Sequence, residues 1–207
     1  MRICYDVPLY DPKGGNLMKA TEPIRSKKQV TKLIAYYLEK EDFRNYLLVI
    51  LCLHTALRIS DVLRLTTNDV FDFNSYRIRD SISIVEKKTG KSKIVALHKT
   101  AVDALALWMP YAKPDAALIP NKRTGKAIGR VQAYRIIRAA AEAVGIKHRV
   151  SCHSLRKTFG YHAWQAGASP IVIMDIYNHS SLSITQRYLG VTQDDKNKVY
   201  LSIDFAD

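Results

Sequence analysis

Eight consecutive apolar residues, Tyr46-Leu-Leu-Val-Ile-Leu-Cys-Leu53, constrain this chain more than any other feature. The run is far short of the roughly 18 apolar residues that a membrane span needs. Asp42 before it and His54 after it bound a helix that is apolar nearly all round. Such a helix has no polar face to give to water, so other elements must enclose it. The expectation is a central helix over Asp42–His54 inside a shell of further structure. A hydrophobic content of 47% supplies that shell and argues against disorder.

The shell reads as mostly helical. Ser26 is placed to cap a first helix whose apolar face is Val30, Leu33, Ile34, Tyr37 and Leu38. After Ala56-Leu57-Arg58-Ile59, Ser60 and Asp61 start another, carrying Val62, Leu63 and Leu65. Further helices are expected over 100–111, 130–144 (stopped by Gly145), 154–166 (ended by Gly167), 170–177 and 183–189. Between them, Tyr76–Arg79, Ser81–Val85 and Lys93–Leu97 alternate or are β-branched, with Asp80 and Thr89-Gly90 as turn signals. These predict a small three-stranded antiparallel sheet and an α+β class. The expected division is an extended arm over 1–20, rich in Pro and Gly, one catalytic domain over 21–190, and a C-terminal tail over 191–207.

Cys4, Cys52 and Cys152 are widely spaced and form no Cys-x-x-Cys pair, which speaks against a disulfide framework and a zinc site. The N-terminus lacks the apolar core of a signal peptide, so a cytoplasmic protein of bacterial, phage or mobile-element context is expected. Thirty-two Lys and Arg against nineteen Asp and Glu give a formal charge of +13. From Val191 onward two lysines face four aspartates, so the first 190 residues hold +15. Each neutralised phosphate of a polyanion releases counterions, so the excess favours a polyanion, although basic proteins also bind membranes, RNA or acidic partners.

Four separated pieces carry the chemistry: Thr55-Ala-Leu-Arg58-Ile-Ser-Asp61, Lys87-Lys88-Thr-Gly-Lys91, His153-Ser-Leu-Arg156-Lys-Thr, and His179 followed nine residues later by Tyr188. Each is weak alone. In this order they resemble the catalytic domain of the tyrosine recombinases, the phage-integrase family, over most of the chain. The shortness resembles that of the fimbrial phase-variation invertases, because only about twenty irregular residues precede the first helix, where most family members carry a separate clamp domain.

The resemblance implies a site-specific recombinase or integrase that cuts and rejoins DNA through a 3′-phosphotyrosyl bond on Tyr188, without metal, ATP or other cofactor. Displacement at a phosphodiester builds negative charge on the equatorial oxygens. Arg58 and Arg156 are the candidates to neutralise it, because a guanidinium fork matches phosphate geometry. His179 would add a hydrogen bond, and His153 would position the phosphate or share proton traffic. A phenol is a poor nucleophile near neutral pH, so Tyr188 needs those surrounding cations. The 5′-oxygen leaves badly and needs a proton. By the same resemblance a hairpin lysine supplies it, and Lys88 matches that place best, with Lys87 and Lys91 open. Asp61 reads as a charge orienting Arg58, while Tyr177 and Tyr200 read as packing. The apolar stripe Val199, Tyr200, Leu201, Ile203 and Phe205 would dock on a neighbouring subunit or pack within the chain, with self-association from dimer to tetramer in synapsis. The alternatives are a type IB-like topoisomerase, a non-catalytic DNA-binding regulator on the same fold and, third, a metal-dependent nuclease.

Overall fold

A computed structural model describes residues 21–204. The arm expected over 1–20, Cys4 and Phe205 lie outside the described residues. Ser26 caps α1 (Lys27–Leu38), accepting from the Gln29 N–H at 3.3 Å. Asp42 caps α2 (Phe43–His54) in the same way through Asn45. Every residue of α2 from Arg44 to Leu53 is buried, as its unbroken apolar run requires. The helix is enclosed by α1, α4 (Lys99–Trp108), α5 (Arg130–Ala143) and α6 (Cys152–Gln165). Between α4 and α5 a long loop sends Leu118, Ile119 and Ile128 into the same core.

Two short antiparallel ribbons stand where one three-stranded sheet is expected. β1 (Phe71–Asp72) pairs with β2 (Arg77–Ile78), and β3 (Ser81–Val85) pairs separately with β4 (Ser92–Ala96). The reason is local. The Asp72 carboxylate accepts from the Asn74 and Ser75 N–H groups, at 3.0 and 3.3 Å, and folds the chain back so that Arg77 meets Asp72 and not the next strand. The class remains α+β. In the second ribbon only Ile82 and Val95 are fully packed; Ile94 and Val85 face out.

Beyond α3 (Ile59–Val62), the ribbons and the long loop, the chain returns through α6 to α7 (Pro170–Tyr177) and α8 (Leu182–Leu189). These last two frame a second, smaller apolar cluster of Ala56, Ile173, Tyr177 and Leu189. The expected tail is helical over α9 (Gln193–Ser202), started by a reciprocal capping box between Thr192 and Asp195. Tyr200 is exposed on α9 rather than packed, and Val199, Leu201 and Ile203 are exposed with it.

Candidate active site

The α2–α3 connection sets the first arginine. Ala56 takes a left-handed conformation (φ 52°) although it is not glycine, and its carbonyl accepts a short hydrogen bond from Nη1 of Arg156. The strained turn releases the chain at Arg58, which is extended and begins α3. Arg58 donates from Nη1 to Oε2 of Glu86 (2.8 Å) and from Nη2 to the Tyr177 carbonyl (3.3 Å).

Arg156 lies in the second turn of α6 and is 4% exposed. Its guanidinium donates to the Tyr188 hydroxyl from Nε (3.1 Å) and to the Tyr177 carbonyl from Nη2 (3.2 Å). Its carbon also sits 4.7 Å from the centre of the Tyr177 ring. His153, one turn earlier, meets the Tyr188 ring edge-on at 5.0 Å, and His179 also meets it edge-on at 5.0 Å. Tyr188, Arg58, His153, Arg156 and His179 therefore converge from four helical segments.

The end of α7 explains how these cations coexist. A helix leaves its last carbonyls unsatisfied and carries partial negative charge there. Here each of the last four has a donor. Asn178, left-handed at φ 53°, turns the chain so that its own N–H reaches the Asp175 carbonyl at 2.9 Å and the His179 N–H reaches that of Met174 at 3.0 Å. The Ile176 carbonyl accepts from Nζ of Lys93 at 2.6 Å, and the Tyr177 carbonyl accepts from both arginines. Tyr177 itself is fully buried and donates its hydroxyl to the Arg156 carbonyl at 2.7 Å, so it is packing, as expected, while its backbone is a shared acceptor.

His179 takes a hydrogen bond between Nδ1 and the Thr185 hydroxyl at 2.9 Å. Burial, followed by the charges of Arg156, Arg58 and Lys88, lowers its pKa to about 4, so the ring is neutral near pH 7. Lys88 sits exposed in the β3–β4 turn, near enough for its charge to act on His179. Gly90 closes that turn with φ +67°, a conformation costly for other residues.

The sequence reading does not find Glu86, Lys93 or Lys157. Lys93 is half-buried, and burial, then Arg156, pulls its pKa down to about 8. Lys157 places Nζ 5.2 Å from the centre of the Tyr188 ring. The expected role of Asp61 needs correction: its carboxylate accepts from the Lys87 N–H at 2.9 Å and so ties down the hairpin. The carboxylate on Arg58 is Glu86. The sequence hides that pairing, because Glu86 follows the outward-facing Val85 and precedes a lysine pair, so it looks like part of a solvated charged turn. Among the described residues, no group of three or more His, Cys, Asp or Glu is placed to hold a metal ion, and no helix is long and apolar enough to cross a membrane.

Known proteins resemble this chain in sequence and fold. A probable integrase/recombinase of Bacillus subtilis, YoeC, is 37% identical over 183 residues, covering 88% of this chain and 97% of its own length. The tyrosine recombinase XerD of Mycobacterium tuberculosis is 31% identical over 157 residues, which is 72% of this chain but only 48% of XerD. The chain thus spans about half the length of the Xer-type relatives. Among solved structures, that of XerA recombinase superposes with a TM-score of 0.71 at 24% identity, over 87% of this chain and 65% of that one. A post-cleavage complex of XerH recombinase on its difH substrate superposes at 0.68 and 22% identity, over 88% of this chain and 52% of that one. These likenesses extend the α+β class to a shared fold. The sequence profile of the phage integrase family matches residues 25–195, and with the recombinase relatives it shows that this chain belongs to that family, with the catalytic-domain fold of the tyrosine recombinases.

Proposed function

We propose that this protein is a site-specific recombinase that cuts and rejoins double-stranded DNA through a 3′-phosphotyrosyl bond on Tyr188. The observation that carries the reading is the Arg156 guanidinium. It donates to the Tyr188 hydroxyl and, through a shared Tyr177 carbonyl, stands beside Arg58. Nucleophile and phosphate-neutralising forks thus occupy one spot. In the reaction the Tyr188 oxygen bonds to phosphorus while the bond from phosphorus to the 5′-oxygen breaks. Arg58 and Arg156 offer their remaining N–H groups to the equatorial oxygens, a preplaced electrostatic stabilisation. The neutral His179 ring donates a single hydrogen bond to the same oxygens, which suits a group that must not titrate near neutral pH. His153, edge-on to the Tyr188 ring, takes the phenol proton or positions the phosphate. Lys88 delivers the proton that the departing 5′-oxygen needs, from an exposed turn that reaches outward. Religation reverses these steps and consumes no ATP.

Double-stranded DNA as substrate is supported by the +15 carried by residues 1–190. Self-association on that DNA follows the description of a lambda integrase dimer bound to its core site, which superposes at a TM-score of 0.64. The test uses nicked duplexes from DNA flanking the protein's own gene, with adducts read on a denaturing gel. The wild type is expected to form a covalent complex. Tyr188→Phe is expected to form none while binding the duplex with nearly unchanged affinity, since it loses one oxygen and no cation. An adduct formed by Tyr188→Phe refutes the assignment. Binding should also weaken steeply as salt rises.

A further inference from the structure

Glu86 is 1% exposed, at the point where β3 enters the lysine turn. One of its oxygens, Oε2, accepts three hydrogen bonds: from Nη1 of Arg58 at 2.8 Å, from the Thr89 hydroxyl at 2.8 Å and from Nδ2 of Asn178 at 2.9 Å. The three donors come from positions 28, 3 and 92 residues away in the chain. Each is part of a different piece of the site. Arg58 is itself a phosphate ligand in the proposed reaction, Thr89 directly follows Lys88, and Asn178 directly precedes His179. The other oxygen, Oε1, is buried and has no hydrogen-bond partner. Burial pushes the carboxyl pKa up, but the bonds from Thr89, Asn178 and Arg58 outweigh it and the net shift is down, so the group stays charged.

An unpaired buried carboxylate oxygen is normally expensive. A residue chosen only to neutralise Arg58 would spread its two oxygens over the guanidinium fork, as bidentate pairs do. Glu86 instead concentrates every contact on one oxygen and leaves the second bare. That geometry serves the meeting of three strands of the chain better than it serves the ion pair.

We propose that Glu86 is a positioning residue that locks the lysine turn to Arg58 and to the His179 loop, so that the hairpin lysine is aimed at the leaving 5′-oxygen. The proposal rests on the recombinase reading above, with a lysine of this turn as the acid. Without the carboxylate, Thr89 and Asn178 lose their common acceptor. The tip of the turn, still tied at Lys87 by Asp61 and at Gly90 by the Glu86 carbonyl, loses its side-chain tether to Arg58 and the His179 loop. Arg58 and Arg156 keep their grip on the Tyr177 carbonyl, so phosphate neutralisation survives in larger part than proton delivery.

The test compares ordinary DNA with a duplex whose bridging 5′-oxygen is replaced by sulfur, a leaving group that needs no proton. Glu86→Ala and Thr89→Val are each expected to slow single-turnover cleavage of ordinary DNA, Glu86→Ala by about 10²-fold, the scale of a lost general acid. Both should regain most of their rate on the sulfur substrate. Glu86→Gln, which keeps an acceptor oxygen in place, should fall between Glu86→Ala and the wild type. Thr89 is exposed in its turn, so Thr89→Val folds and decides the matter even if Glu86→Ala does not. If Lys88→Ala is rescued by sulfur and Thr89→Val and Glu86→Ala are slow without rescue, or are not slow, the positioning role is wrong and the recombinase reading stands. If neither Lys88→Ala nor its Lys87 and Lys91 counterparts are rescued, the lysine turn is not the acid and this proposal falls with it. Adduct formation by Tyr188→Phe is the separate result that removes the recombinase chemistry itself.

Discussion

Around α2, ten consecutive residues are buried and their neighbours are almost all aliphatic, from Leu33 on α1 to Leu105 on α4 and Ile137 on α5. The cluster at α7 and α8 has only Ala56, Ile173, Tyr177 and Leu189 fully buried, ringed by Phe159, Trp164 and Tyr188 and pierced by the Arg156 guanidinium. The first region is held by area removed from water, at about 25 cal/mol per Å². The second is held by directional bonds from cations to backbone carbonyls. Hydrophobic packing tolerates small shifts, whereas hydrogen bonds lose strength steeply when bent. The difference suggests why reactive groups gather at the second region: there the neighbouring side chains are fixed in angle as well as in place, whereas in the first region only a few, such as Arg44, are.

If that contrast holds, changes in the two regions should separate cleanly. Leu47→Ala, at a fully buried position of α2, is expected to remove about 2–5 kcal/mol of stability. Its cleavage rate per folded molecule should stay near wild type, as denaturant melts combined with single-turnover assays will show. Arg156→Lys is the opposite case. An ammonium cannot hold Tyr188, Ala56 and Tyr177 at once, so the rate should drop about 10²–10³-fold, the scale of one lost oxyanion donor. Wild-type kinetics in that variant would detach Arg156 from the chemistry.

Gly160→Ala is designed to blur the boundary. Alanine improves a helix interior by about 1 kcal/mol over glycine. Yet a Cβ at Gly160 would collide with the Tyr177 hydroxyl and lie 2.8 Å from Cε2 of its ring. Overpacking of about 1–3 kcal/mol should win. Displacing Tyr177 moves the carbonyl shared by both arginines, so stability and rate should fall together. A gain in melting temperature would mean that the ring yields freely and that the site is softer than its hydrogen bonds imply.

The smallest effect concerns acid. His179 in the folded protein holds its proton only near pH 4, whereas in the unfolded chain it titrates near 6.5. Between those values the unfolded form alone takes up a proton, so this residue makes stability fall as pH drops from about 6.5 to about 4, and not below. His179→Gln should flatten that part of the wild-type stability curve. Identical slopes for the two proteins would place the histidine in water.

Much of this was legible before the structure. The capped start of α1, the burial of α2 and the ends of α5 and α6 follow from local residues, and so did the α+β class. The five residues Tyr188, Arg58, His153, Arg156 and His179 were legible as separate motifs that the fold then gathers. β3 and most of β4 were expected where they stand, but the separate first ribbon was not, because strands of two residues leave no periodic signal. Nor were Glu86 and Lys93, whose partners stand 28 and 83 residues away. No spacing rule links a carboxylate before a lysine turn to an arginine opening a distant helix. The helix α9 is a different kind of miss, since Thr192 and Asp195 spell a capping box in plain view.

The last turn of α7 has one more consequence. A helix terminus carries roughly half an elementary charge, and here that half charge faces two arginines and a lysine. It acts as a resident, weak counter-ion. In the reaction proposed above, an arriving phosphate bears a full charge and competes well with that half charge for the guanidinium hydrogens. The resident anion cannot diffuse away, being part of the main chain. When the phosphate departs, the carbonyls of Ile176 and Tyr177 are still in place to hold the cations together. With the Glu86 carboxylate on Arg58, these carbonyls offset part of the repulsion among three neighbouring positive charges.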